Sequence, residues 1–270
     1  MGRRLFPYPK AMRINHGDPA WLELATSDLD GAAAFYGRVF GWELARDPDS
    51  DGAVATVDGR PVARLRPAPA GSPARWTVWL KVADVAQATS AAVGARGNVV
   101  SPPLHHEGLG WQAVVEDPAG AEVALWEAEE EDWAFGSGHG QPCWFDVLST
   151  GFDEARSFYG GLGGWRYHYL LADGTLDTSE PLQGKYRHAV NGGQGEATAG
   201  IFDVEEGGDA GGGSRWTMYL AVGDVDEVCM AVTAAGGEVL AGPRTMPFGR
   251  MAEVRDPQGA QFRVLLSPGA

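Results

Sequence analysis

The chain alternates segments of period-two hydrophobicity with segments of helical periodicity. Residues 21–26 alternate between the two sides of a predicted strand, and Asp28 follows as a helix N-cap. The next segment carries one apolar helical stripe that Gly41 ends, formed by Ala32, Phe35, Tyr36, Val39 and Phe40. A similar unit follows, with a strand over 76–82, a cap at Asp84, and helical apolar positions Val85, Ala88, Ala92 and Val93. Short strands follow each helix, so the pattern predicts an α+β fold.

The whole pattern occurs twice along the chain. Trp21-Leu22-Glu23-Leu24 is repeated as Trp144-Phe145-Asp146-Val147, and Phe35-Tyr36 as Phe158-Tyr159, each time 123 positions later. Arg75-Trp76-Thr77 matches Arg215-Trp216-Thr217, 140 positions later, and the Asp-Pro-x-Gly turn at 117–120 matches the turn at 256–259. The chain is therefore predicted to be a duplication. We place the first domain at 12–128, an acidic, glycine-containing linker at 129–138, and the second domain at 139–270.

Composition limits the classes of partner. The 270 residues are 44% hydrophobic, which is enough for a sizeable core, and no segment has the apolar length of a membrane helix. A formal charge of −15 would repel nucleic acid and anionic lipid. Cys143 and Cys229 lie far apart and offer no zinc motif. We expect a cytoplasmic protein without nucleic-acid or membrane partners.

Several motifs together resemble the vicinal oxygen chelate superfamily, which includes glyoxalases, bleomycin resistance proteins and extradiol dioxygenases. They are Asp-Leu-Asp-x-Ala-x-x-Phe-Tyr at 28–36, Phe40-Gly41-Trp42, and the Asp-Pro-x-Gly turn near each domain end. The resemblance covers nearly the whole chain. It implies that each domain consists of two βαβββ modules that form a partly open barrel around one cavity.

The positions at which this resemblance implies metal ligands do not carry them. Metal-dependent members hold the metal with His or Gln on the first strand of a module and Glu on the fourth. The first-strand position falls on Trp21, Thr77, Trp144 and Thr217, and the fourth-strand position falls on Ala124 and Arg263. The remaining fourth strands, 61–66 and 197–202, contain neither His nor carboxylate. We predict no metal and no cofactor, and interpret His105, His106 and His188 as surface or hydrogen-bonded residues.

Residues two positions apart on a strand point to the same side of the sheet. The implied ligand positions, together with the residues two positions away from them, therefore predict which side chains line the two cavities. In the first domain the predicted ligand-binding residues are Trp21, Glu23, Thr77, Trp79 and Trp126, and in the second domain they are Trp144, Asp146, Thr217, Tyr219 and Arg263. Aromatic walls favour a planar small molecule. The alternative is that these rings fill both barrels and leave no space for a ligand.

The carboxylates among these aromatic residues allow two interpretations. Glu23 and Asp146 would be ion-pair partners of Arg64 and Arg263, respectively, or acceptors for a ligand. A net insertion of 17 residues separates the two copies and falls around 167–194, where it could form a lid, a dimer contact or a neutral surface hairpin. If one cavity works alone, the insertion and Arg263 favour the second.

The function that these observations favour is metal-independent binding or tailoring of an aromatic or polycyclic small molecule, of the kind found in antibiotic resistance and secondary metabolism. Two alternatives stay open: a metal-dependent lyase, isomerase or dioxygenase of the glyoxalase superfamily, and a non-catalytic interaction protein. No catalytic residue is assigned. A small-molecule ligand is the expected partner, and a homodimer is not excluded.

Overall fold

The computed structural model describes residues 14–47, 51–128, 135–179, 187–204 and 213–266. The first domain contains, in chain order, β1 (Pro19–Thr26), α1 (Leu29–Phe40), β2 (Glu43–Arg46), β3 (Ala53–Val57), β4 (Arg60–Pro67), β5 (Arg75–Lys81), α2 (Val85–Gly94), β6 (Asn98–His106), β7 (Gly110–Glu116) and β8 (Glu122–Glu127). Two successive βαβββ modules account for all of these elements. The predicted α+β class and modular organisation are confirmed.

The second domain repeats this order with one additional strand. Its elements are β9 (Pro142–Ser149), α3 (Phe152–Gly163), β10 (His168–Leu170), β11 (Leu176–Asp177), β12 (His188–Val190), β13 (Ala199–Asp203), β14 (Arg215–Ala221), α4 (Val225–Ala234), β15 (Glu238–Met246), β16 (Gly249–Arg255) and β17 (Gln261–Leu266). The extra strand β11 pairs with β10 and lies within the predicted insertion. Residues 180–186 of that insertion, and the acidic run 129–132 of the predicted linker, are outside the described residues.

Each domain contains one mixed sheet that joins its two modules through their first strands. The first sheet has the order β2-β3-β4-β1-β5-β8-β7-β6, and the second has the order β11-β10-β12-β13-β9-β14-β17-β16-β15. At the centre, β1 pairs with β5 and β9 pairs with β14, both antiparallel. On one sheet face Leu22, Leu24, Val78 and Leu80 are buried in the core. Alternate residues therefore point to the barrel interior.

Helix α1 forms where the sequence pattern predicts it. The side chain of Asp28 accepts a hydrogen bond of 2.9 Å from the Gly31 backbone N–H, and Gly41 ends the helix in the left-handed conformation at φ 71°. The predicted apolar stripe is the buried face of this helix. In α2 the prediction is wrong at Val93, which is 54% exposed. The buried face of this helix ends with Ala92, and Val93 lies outside that face.

The motif residues form the contact between the two domains. The Tyr36 hydroxyl of the first domain donates to Asp256 of the second at 3.0 Å, and Tyr159 donates to Asp117 in the reciprocal direction at 3.2 Å. Each aspartate belongs to an Asp-Pro-x-Gly turn, and each tyrosine belongs to a Phe-Tyr pair. Helix α1 packs against α4 and α2 packs against α3. The repeated motifs therefore hold the two domains together rather than forming the cavities.

We expect removal of these two hydroxyls to loosen the domain contact. In the double variant Tyr36→Phe/Tyr159→Phe each buried Asp loses one charge-assisted hydrogen bond, and the bonds lie in separate places, so the losses should add. The free energy of unfolding should fall by about 2–4 kcal/mol, measured by urea denaturation. Tyr167→Phe, which removes a hydroxyl bonded to the Arg156 carbonyl inside the second domain, is the control. An unchanged midpoint in the double variant would contradict a stabilising role.

Within the described ranges, none of the helices combines the length and the apolar character that crossing a bilayer requires.

Candidate functional site

The first barrel contains two adjoining cavities that are partly open to solvent and share part of their walls. One, of about 710 Å³, we call the charged cavity because Arg64, Arg66, Arg75 and Glu107 line it. The other, of about 290 Å³, we call the aromatic cavity because its walls include Trp21, Trp79 and Trp126. Glu23, Asp47 and Gln112 line both. Together they offer the size and the mixed lining typical of small-molecule sites.

The aromatic cavity has flat walls. The ring centroids of Trp21 and Trp126 are 6.5 Å apart and their planes are inclined at 53°. The indole Nε1 of Trp126 donates to the carbonyl of Leu109 at 2.6 Å, which attaches the tip of the β6–β7 hairpin to the cavity wall. All five first-domain residues predicted from the period of two lie at the cavities: Thr77 lines the charged one, Trp21 and Trp126 line the aromatic one, and Glu23 and Trp79 line both.

Four of the charged side chains in these cavities form two pairs. Arg66 Nε lies 2.5 Å from Glu23 Oε1, and Arg64 Nη2 lies 3.3 Å from Asp47 Oδ2. The interpretation of Glu23 as an ion-pair residue is supported, but its described partner is Arg66 rather than the predicted Arg64. In the parallel β1–β4 register Arg64 stands opposite Glu23, and Arg66 lies two positions farther along the same strand face. Arg66 is 39% exposed, so this pair is accessible to solvent and to a ligand.

Four of the five predicted residues of the second domain belong to a buried polar network. Asp146 Oδ1 is 2.9 Å from His188 Nε2 and accepts from Trp144 Nε1 at 2.9 Å. Its other oxygen accepts from the Tyr219 hydroxyl at 2.7 Å, and Arg263 donates to that hydroxyl at 2.8 Å. Thr217 stands opposite Asp146 in the strand register and is buried. Arg263 therefore reaches Asp146 through Tyr219 rather than by the predicted direct ion pair.

Burial and charge act in opposite directions on Asp146. Burial alone would raise the pKa of this carboxyl, but the charge of His188 and the hydrogen bonds from His188, Tyr219 and Trp144 together hold its pKa below the ordinary value. Burial raises the pKa of Tyr219 well above its ordinary value, so the hydroxyl stays protonated and can donate to Asp146. The network therefore holds an ionised carboxylate bonded by Trp144, His188 and Tyr219.

Gly200 makes room for this arrangement. A Cβ atom at that position would lie 2.5 Å from His188 Nε2 and 2.8 Å from Asp146 Oδ1. The equivalent position of the first domain, opposite Glu23 in register, carries Arg64. Glu253 also reaches this network, with its Oε2 3.3 Å from Arg263 Nη2. The sequence interpretation of the cavity walls did not include His188, Gly200 and Glu253. The signal that could have identified them is the alternation of inward and outward positions along β12, β13 and β16.

The two barrels thus differ at matching positions. Trp144 and Asp146 correspond to Trp21 and Glu23, Tyr219 corresponds to Trp79, and Arg263 corresponds to Ala124. In the second domain Asp146, His188, Tyr219 and Arg263 are 1–4% exposed. In the first domain Trp21, Glu23 and Trp79 border the cavities. The preference for the second domain as the principal site stays a prediction.

The donor set does not fit a divalent metal ion. Among the described residues, no group of three or more His, Cys, Asp or Glu side chains could hold one. In the first barrel Glu23 and Asp47 are each held by an arginine, and Trp21 and Thr77 occupy the ligand positions that the family resemblance implies. In the second barrel Asp146 and His188 bond each other, and the Arg263 guanidinium lies one hydrogen bond away.

The chain belongs to the Glyoxalase/Bleomycin resistance protein/Dioxygenase superfamily, whose family model matches residues 16–125 and again residues 145–264. A Mycobacterium bovis protein named as a glyoxylase, CFP32, is 32% identical over 267 residues, which cover 95% of this chain and 97% of the relative. The anthracycline biosynthesis protein DnrV of Streptomyces peucetius is 31% identical over 273 residues, which cover 94% of this chain and 94% of the relative.

Solved structures share the fold at low identity. The Mn(II)-bound glyoxalase from Novosphingobium aromaticivorans aligns with a TM-score of 0.59 at 17% identity, over 93% of this chain and 83% of that one. A variant of homoprotocatechuate 2,3-dioxygenase from B. fuscum aligns with a TM-score of 0.62 at 17% identity, over 97% of this chain and 74% of the enzyme. At this identity the similarity concerns the fold.

Proposed function

We propose that the protein binds or tailors a planar aromatic or polycyclic small molecule without a metal ion, and that the first-domain cavities hold this ligand. The observation that carries the proposal is the wall of three tryptophans, Trp21, Trp79 and Trp126, beside accessible paired charges. Indole surfaces stack on planar rings, and the neighbouring charged cavity can take polar substituents.

The relatives support the same ligand class. Proteins from two streptomycete sources that are 29–31% identical to this chain are named for anthracycline biosynthesis. Anthracyclines are flat, fused-ring aromatic compounds, and such a ring system would present its faces to the indole walls. The charged cavity then provides Arg64, Arg66 and Glu23 for oxygen or nitrogen substituents at the ligand edge.

The first domain is the proposed ligand site because the polar side chains of the two barrel interiors differ in accessibility. In the second barrel the matching side chains bond one another and are nearly inaccessible. In the first barrel Ala124 stands where the second has Arg263, and Val114 stands where the second has Glu253. These smaller side chains favour an open interior there.

The test is calorimetric titration with anthraquinone-2-carboxylate, a soluble planar probe. We expect one bound equivalent per chain, and we expect the affinity to be unchanged after dialysis against EDTA, since no donor set for a divalent ion is formed by the described residues. Elemental analysis of the purified protein should find far less than one equivalent of transition metal. Affinity that disappears with the chelator and returns with iron, manganese or zinc would contradict metal independence.

A further inference from the structure

Trp79 differs from the other buried tryptophans in its hydrogen bonding. Its side chain lines both first-domain cavities and is 8% exposed, and within the described part of the chain its buried Nε1 has no hydrogen-bond partner. Six other tryptophans donate from Nε1 to a protein oxygen: Trp42, Trp76, Trp126, Trp144, Trp165 and Trp216. A buried indole N–H without an acceptor costs free energy, and native proteins keep few of them.

At the matching position of the second domain, the polar atom of the side chain has hydrogen-bond partners within the protein. Tyr219 lies at the same place in the strand pair, opposite Trp144 as Trp79 is opposite Trp21. Its hydroxyl donates to Asp146 and accepts from Arg263. In the first domain the corresponding acid, Glu23, is bound by Arg66, and Ala124 offers no polar atom.

We propose that the ligand is a planar aromatic ketone or quinone whose ring carbonyl oxygen accepts a hydrogen bond from Trp79 Nε1. This inference rests on the proposed function and narrows its ligand class. A ring carbonyl lies in the plane of the ring system, so the ring can stack on Trp21 or Trp126 while its oxygen points to a third wall. The acids near this wall, Glu23 and Asp47, are each paired with an arginine. The wall therefore favours a neutral acceptor oxygen.

Two probes with the same fused-ring framework and the same charge test the proposal. Anthraquinone-2-carboxylate carries two ring carbonyls, and anthracene-2-carboxylate has the same three fused rings and the same carboxylate without them. By calorimetry the parent protein should bind the anthraquinone about fivefold more tightly, the ratio expected for one net hydrogen bond. In Trp79→Phe, which keeps an aromatic ring and loses the N–H, this ratio should fall to about one. Tyr219→Phe, which removes the polar atom at the matching position of the second domain, should keep the parent ratio.

A second measurement does not depend on the variant folding. In the 1H–15N spectrum of the parent protein, one indole N–H signal should move downfield with anthraquinone-2-carboxylate and stay in place with anthracene-2-carboxylate. Equal affinities for the two probes, together with no such signal, would overturn the role of Trp79 and leave the proposed aromatic site intact. A preference that persists in Trp79→Phe would overturn it as well. Failure of both probes to bind the parent would contradict the proposed function together with this inference.

Discussion

Replacing Asp146 with asparagine should lower the free energy of unfolding by about 3–5 kcal/mol at pH 7, the range found when one partner of a buried ion pair is removed. Asp146 is 1% exposed and bonds His188, Tyr219 and Trp144. The change would leave the His188 ring and the Tyr219 hydroxyl facing a neutral amide in place of the carboxylate. Guanidinium denaturation followed by circular dichroism measures this difference.

Glu23→Gln is the matched control, because Glu23 occupies the equivalent strand position of the first domain. Its partner Arg66 is 39% exposed, so solvent screens the pair, and we expect a loss of about 1 kcal/mol or less. Equal losses for the two variants would contradict the assignment of Asp146 to a buried network and of Glu23 to an accessible cavity.

The Asp146 contribution should also depend on pH in a defined direction. His188 and the surrounding donors hold the pKa of Asp146 below its ordinary value despite burial. The folded state therefore binds the proton less readily than the unfolded state, in which the pKa is about 3.9. The stabilisation is present above that value and is lost as the pH falls through the lower folded pKa. The difference between the parent and Asp146→Asn should shrink as the pH falls from about 5 toward about 3.

Introducing an arginine at Ala124 should reduce the affinity for anthraquinone-2-carboxylate by about a hundredfold or more, equivalent to about 2.7 kcal/mol. The variant Ala124→Arg places in the first barrel the residue that the second barrel holds at the matching position. Ala124 pairs in register with Trp79, and a long side chain there would enter the space beside the aromatic wall. Calorimetry measures the affinity, and a thermal melt confirms folding; Ala124→Leu is the smaller replacement if the arginine prevents folding.

Arg263→Ala supplies the reciprocal control. If the first domain holds the ligand, this variant should be less stable yet should keep the parent affinity within about twofold. If its affinity is lost while Ala124→Arg binds normally, the principal site lies in the second domain, as the insertion and Arg263 suggested from the sequence.

Much of the fold could be predicted because duplication made weak motifs informative. A single Phe-Tyr pair or Asp-Pro-x-Gly turn is common, but their repetition in the same order defined two domains of two modules each. The period of two then placed Trp21, Glu23, Thr77, Trp79 and Trp126 at the cavity walls, as the structure shows. Both steps depend on local geometry, which sequence spacing determines directly.

Whether each barrel interior is open to a ligand or filled by side chains could not be predicted in the same way. Whether a barrel is open or closed depends on side chains from every strand and on differences in side-chain volume, such as that between Ala124 and Arg263. The partner of Glu23 depends on which of Arg64 and Arg66 also meets Asp47, a residue outside the predicted strands. His188 enters the second network from the inserted region, where no repeat of the first domain guides the register.

The reciprocal hydrogen bonds of Tyr36 and Tyr159 lie in a contact at which each domain buries aromatic residues of the other. A first domain cut at the linker would expose Tyr36, Phe40 and Trp42, which are buried in the intact chain, and would leave Asp117 without its phenol partner. A contiguous aromatic surface of this kind promotes aggregation. Engineering of the ligand site is therefore better carried out by exchanging interior residues between the barrels of the intact chain than by isolating one domain.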